Sequence, residues 1–211
     1  MTVSLPREMA DLPKDKHGRP IPWFVDTLAD GSRDFRIVNA KAPFVATRDD
    51  LCWICGNERP QHAAFVIGPM CTINRNSAEP PSHLACATYA ARMCPFLSRP
   101  NMVRRSTGLP EEMIAPAGLS LARNPGVAAV WQSRNWQPYV AQAGGRGLLF
   151  DIGDPTSVSW WAEGRSATGD EVRASIDSGL PSLEALLEPD DKRGRVQLRH
   201  MRRKVEGMLP A

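Results

Sequence analysis

The chain has 211 residues, a formal net charge of +3, 42% hydrophobic residues and 23% charged ones. That is the balance of a water-soluble globular protein with enough chain for one sizeable core or two small ones. No stretch approaches the ~20 apolar residues that span a bilayer, and the first residues lack an apolar run of signal-peptide length, so the expectation is a cytoplasmic protein without membrane attachment.

Residues 1–20 are polar and rich in Pro, Lys and Asp, and read as an irregular N-terminal arm. Residues 21–50 follow as a β-hairpin, because aromatic and β-branched runs at 21–28 and 33–38 flank an Asp30-Gly31 turn. Residues 51–97 hold most of the chemistry. Cys52-Trp53-Ile54-Cys55-Gly56 is a C-x2-C turn closed by glycine, 62–67 reads as a strand ended by Gly68-Pro69, and Pro80-Pro81-Ser82-His83-Leu84-Ala85-Cys86 sets an H-x2-C at a helix start. That helix is expected over about 83–94, with Ser82 as N-cap and Pro95 as its limit.

Residues 98–165 form a β-rich body in this reading. Strand-like pieces lie near 118–121, 127–131, 139–140, 147–152 and 158–161, punctuated by Asn124-Pro125-Gly126, Gly144-Gly145 and Asp154-Pro155. Residues 166–211 are helical. Thr168 and Glu171 have capping-box spacing for a helix ending near Gly179; Pro181-Ser182 opens another through Leu187, and a third runs from about Asp191 to Met208.

The five cysteines, at 52, 55, 71, 86 and 94, are odd in number and clustered, which suits metal binding better than a disulfide framework. Structural zinc takes four tetrahedral N/S ligands, usually as two close pairs. Cys52, Cys55, His83 and Cys86 have that spacing, with 27 residues between the pairs. A knuckle, a hairpin and then a helix carrying the second pair resembles the treble-clef arrangement. Cys71, expected on the hairpin, is an alternative fourth ligand in place of His83. Cys94 lies about 16 Å farther along the helix at ~1.5 Å per residue and reads as a buried small hydrophobe.

Four protein ligands leave no open coordination position, which favours a structural ion. Treble clefs also carry the His-Asn-His nucleases. The polar residues available for such a site, His62, Asn74 and Asn76, with Gln61 where an aspartate belongs, do not match that pattern. Gly144-Gly145-Arg146-Gly147 precedes a strand instead of a helix, which makes it a hairpin turn and not a phosphate loop. Trp23, Trp131, Trp136, Trp160 and Trp161 lie in strand-like segments and read mainly as core. No catalytic triad or paired-carboxylate site stands out, and the enzyme alternative would need a pocket lined from the Arg165 region or the Trp23 loop.

Residues 192–204 carry seven Lys/Arg and no acid, so the remaining 19 bases face 23 acids. Leu198, Met201, Val205 and Met208 make an apolar stripe on this helix, while Lys192, Arg195, Arg199, Arg202 and Arg203 occupy a separate arc. Arg195, Arg199, Arg202 and Arg203 are the candidate contacts to nucleic acid or to another protein. A solvated amphipathic helix without a ligand is the competing reading.

Several longer stretches look familiar together: Gly18 through Val25, Phe65 through Cys71, Pro80 through Cys86 with Cys94-Pro95-Phe96-Leu97, and Trp160 through Thr168 with Gly179-Leu180-Pro181. As a set they resemble a family of uncharacterised bacterial and phage proteins. The resemblance implies one integrated fold and assigns no catalytic residues. The overall expectation is an α+β protein: a small antiparallel sheet body, an embedded treble-clef-like module with structural zinc, and a helical C-terminus.

Overall fold

The computed structural model describes residues 3–99, 102–103, 124–140 and 147–210. Its elements in chain order are α1 (Ala42–Arg48), β1 (Ala63–Ile67), α2 (Pro69–Asn74), β2 (Asn76–Ser77), α3 (Leu84–Met93), α4 (Pro95–Ser98), β3 (Ala128–Ser133), β4 (Gln137–Val140), β5 (Leu148–Asp151), β6 (Ser157–Ala162), β7 (Arg165–Ser166), α5 (Gly169–Glu184) and α6 (Lys192–Glu206). The mixed α+β class is the one expected. A four-stranded sheet runs β1-β3-β6-β7 and a three-stranded sheet β2-β5-β4, with every pairing antiparallel.

Side chains that alternate along a strand sort onto the two faces of the larger sheet. Phe65 and Ile67 of β1, Ala129 and Trp131 of β3, and Trp160 and Ala162 of β6 face the main core, which also takes in Phe150 of the second sheet, Val172 and Ile176 of α5, and Val205 of α6. Ala64, Val66, Val130 and Trp161 face the opposite way and meet Ala87 and Ala91 of α3. The adjacent Trp160 and Trp161 thus serve two different layers. Small residues on the α3 side let that helix, which carries the H-x2-C pair, lie close against the sheet.

A third cluster gathers Met9, Ala42, Ala46, Trp53, Ile54 and the three cysteines Cys52, Cys55 and Cys86. The N-terminal arm contributes to it: Met9 is buried, Leu5 and Leu12 pack on its edge, and Asn57 donates to the Glu8 carbonyl at 2.9 Å.

Three expectations change in detail. Residues 21–38 keep the Asp-Gly turn (Leu28 N–H to Ser32 O, 2.9 Å) but pair only through the single bridge Val25↔Val38. Around it Asp26 N–H reaches Ile37 O at 3.0 Å and Asn39 N–H reaches Phe24 O at 2.9 Å, but the Ile37 N–H turns back to Asp34 O at 2.9 Å, so the pairing stops at one bridge, and α1 follows within residues 21–50. The hairpin expected after the knuckle is likewise reduced to one bridge, Ala64↔Ser82, with α2 and β2 in the intervening connection. Finally, α5 runs straight through Gly179 and Pro181. Its capping box forms as read, and beyond it Leu183 is buried in the core while Met70 of α2 presses on Gly179. Packing on both sides of the proline outweighs the ~3 kcal/mol that proline costs in a helix interior. The strand expected at 118–121 and the Gly144-Gly145 turn lie outside the described residues; β4 and β5, on either side of that turn, pair antiparallel.

Candidate metal centre

The C-x2-C knuckle is the tip of a two-stranded stem. Leu51 bridges Glu58, Arg59 N–H bonds Asp50 O at 2.9 Å, Cys52 N–H bonds Asn57 O at 2.8 Å, and Gly56 N–H closes on Cys52 O at 2.9 Å. Gly56 takes φ 75°, a left-handed conformation that glycine adopts without a Cβ penalty. The stem docks on the segment leading into α3 through Trp53 N–H to Pro81 O at 3.1 Å.

The N-cap of α3 is His83 (φ −58°, ψ 145°) and not Ser82, because Ser82 exchanges both backbone hydrogen bonds with Ala64 at 2.8 Å. His83 and Cys86 therefore occupy the N-cap and the third helical position, and both turn toward the knuckle. The four donor atoms of Cys52, Cys55, His83 and Cys86 lie within 4.8 Å of one another. His83 Nδ1 is 3.4 Å from Cys55 Sγ and 3.9 Å from Cys86 Sγ. A tetrahedral zinc with Zn–S ≈ 2.3 Å and Zn–N ≈ 2.0–2.1 Å requires edges of roughly 3.5–3.8 Å, so the donor set fits the ion.

The surroundings fit as well. His83 Nε2 lies 2.9 Å from the Glu58 carbonyl. As the donor there, it leaves Nδ1 as the lone-pair ligand atom, which is how outer partners orient metal-bound histidines. Cys52 Sγ accepts N–H groups from Cys55 at 3.5 Å and His83 at 3.4 Å. Hydrogen bonding by the Cys55 and Cys86 thiols, helped by those amides, pulls the Cys52 thiol down. The Cys52 sulfur in turn pushes Cys55 up to about 11 and raises Cys86 further. Three buried sulfurs this close cannot all ionise without a cation among them. Four protein donors would fill the tetrahedral positions of such an ion.

Cys71 does not join this group. It sits on α2, not on a hairpin, packed against the main core, and burial holds its thiol at about 11. Among the described residues no other set of three or more His, Cys, Asp and Glu side chains has this arrangement. His62 Nε2 meets Thr156 Oγ1 at 2.5 Å. Asn74 and Asn76 line a shallow cavity of about 360 Å³ with Arg75, Gln137, Tyr139 and Asp151, where the Asn76 side chain accepts from the Tyr139 hydroxyl. Arg165 is paired with Glu171 at 2.6 Å, and the Trp23 ring covers Gly56.

On α6 the apolar stripe docks as expected: Val205 is fully buried, and Leu198, Met201 and Met208 pack on the main core. The four candidate arginines divide into two pairs. Arg202 bonds Asp177 at 2.7 Å and Glu206 at 2.8 Å, and Arg195 donates to the Pro189 carbonyl at 2.9 Å. Arg199 and Arg203 are exposed, as are Lys192, Arg193 and Lys204. No helix among the described residues is long and apolar enough to cross a membrane.

No family model, curated protein or solved structure matches this chain. The resemblance to uncharacterised bacterial and phage proteins therefore gains no support beyond the Cys3His cluster itself. One outer group of the site, the Glu58 carbonyl, had no signature in the sequence, since a backbone acceptor becomes visible only once the stem is folded.

Proposed function

We propose that this chain is a zinc protein whose ion is structural and whose role is to contact a macromolecule, with the phosphate backbone of nucleic acid as the partner. The observation that carries the first half is the convergence of four donor atoms within 4.8 Å in a buried cluster. Cys52 and Cys55 would hold the ion from the knuckle and His83 and Cys86 from the start of α3. The ion would supply no reaction; it would clip the N-terminal layer to a helix that lies on the sheet.

The second half is supported by the outward face of α6. At 100° per residue, Lys192, Arg199 and Arg203 fall within an arc of about 40° and span ~16 Å along the axis. All three are exposed, opposite the buried Val205. Arg195 and Arg202 are occupied by the chain's own acceptors, so the contact is assigned to Lys192, Arg199 and Arg203 in their place.

The test pairs elemental analysis with binding to a labelled duplex over a salt series. One zinc per chain is expected, together with an affinity that falls with salt by a log–log slope of about 0.9 per neutralised phosphate. Replacing Lys192, Arg199 and Arg203 with Gln should flatten that slope, while replacing Arg195 and Arg202 should leave it in place. Protein that binds no zinc removes the first half; wild type with no salt-dependent binding removes the second.

A further inference from the structure

Among the described residues Arg59 is the single charged residue in the buried class, with 1% of its side chain exposed. A guanidinium removed from water needs an opposing charge or a full set of hydrogen bonds. Its immediate partners supply only part of either. Nη2 reaches Asp50 at 3.1 Å, but that carboxylate is 70% exposed and so shared with water. Nη1 reaches Pro60 O only at 3.4 Å, Nε has no partner, and the flat face lies 4.5 Å from the Trp136 ring.

The missing negative charge is close by. The Leu51↔Glu58 bridge and the Asp50–Arg59 backbone bond fix the register of the stem. Directly paired residues and those two positions along project from one face of such a ladder. Cys52 and Arg59 therefore sit on one face as diagonal neighbours across the stem. A divalent cation bound by three thiolates and a neutral imidazole carries one surplus negative charge, and this cluster lies in the interior.

We propose that Arg59 is the counter-charge of the metal centre, a positioning residue that offsets the surplus negative charge through the Cys52 sulfur and so tightens the hold on the ion. The inference rests on the reading of Cys52, Cys55, His83 and Cys86 as zinc ligands. It distinguishes Arg59 from an arginine kept only to fill space beside Trp136.

Two substitutions separate charge from packing. Arg59→Met keeps the length and apolar stem but removes the charge; Arg59→Lys keeps the charge but loses the flat guanidinium. Zinc affinity is measured by competition with a chromophoric chelator, and the sulfur-to-metal charge-transfer band is recorded on the cobalt-substituted protein. R59M should bind zinc about 10- to 100-fold more weakly, the usual cost of losing an outer partner, and its band should move to lower energy because the thiolates lose a stabilising cation. R59K should stay close to wild type in both. The reverse order, with R59M like wild type and R59K impaired, overturns the proposal in favour of packing, and so does equal behaviour of all three.

Should R59M not fold, Asp50→Asn decides. Removing that exposed carboxylate leaves the Arg59 charge to the sulfurs, so the band should move to higher energy; an unmoved band overturns the proposal. Wild type that takes up no zinc would refute the metal reading itself, which these arms keep distinct.

Discussion

Adding one methyl group at Gly56 tests how tightly the knuckle is specified, because the cost has two separable parts. The residue sits at φ 75°, where an L-residue with a Cβ loses about 1–2 kcal/mol. An ideal Cβ there would lie 2.5 Å from both Cδ1 and Cγ of Trp23, against the ~3.5–4.0 Å that carbon atoms prefer, so the indole must withdraw by about 1 Å. It is not free to do so: the Trp23 backbone N–H is tied to Ile54 O at 2.8 Å and its ring packs on the cluster around Trp53. Overpacking of this kind costs about 1–3 kcal/mol. Zinc-loaded Gly56→Ala protein should therefore lose about 2–5 kcal/mol of stability, a fall in Tm of roughly 4–20 °C for a chain of this size. Thermal and urea melts measure it, repeated in a Trp23→Ala background. Without the indole only the backbone part, about 1–2 kcal/mol, should remain. Equal losses in both backgrounds would refute the steric part, and a loss below about 1 kcal/mol in the native background would refute both.

Chelation should strip amide hydrogen-exchange protection from the stem at 50–59 and the start of α3 while β1, β3 and β6 keep theirs, since the latter belong to a core independent of the ion; uniform loss would contradict two semi-independent cores. Val205→Ala should cost about 1–3 kcal/mol in urea melts, because that side chain is fully buried under α6. Val196→Ala, on the opposite face and 57% exposed, should stay within about 0.5 kcal/mol of wild type. The Arg165 guanidinium, with the Thr168 N–H, holds the Glu171 carboxyl at about 2 instead of its ordinary 4.5. A folded-state value below the unfolded one means the contribution is complete above pH 4.5 and is lost as pH falls through about 2. An NMR titration of the Glu171 carboxyl checks this, and a midpoint near the ordinary value would refute the pairing.

What could be read without coordinates was whatever depends on neighbours along the chain. The C-x2-C and H-x2-C pairs, the capping box at Thr168 and Glu171, the strands from β3 to β6 and the apolar stripe of α6 all follow from spacing, periodicity and turn chemistry within a few residues. What the tertiary structure alone decided were the outcomes of competition between distant partners for the same groups. Ile54 O claims the Trp23 N–H and ties residues 21–38 to the knuckle; Ala64 claims Ser82 and hands the N-cap to His83. Packing of Leu183 and Met70 carries α5 past Pro181, and Asp177 and Glu206 withdraw Arg202 from the outward face of α6. The burial of Arg59 beside the metal cluster belongs to the same class. Local rules state what a residue prefers, but a backbone donor or a charge serves its best partner in space, and the fold brings that partner from far along the chain.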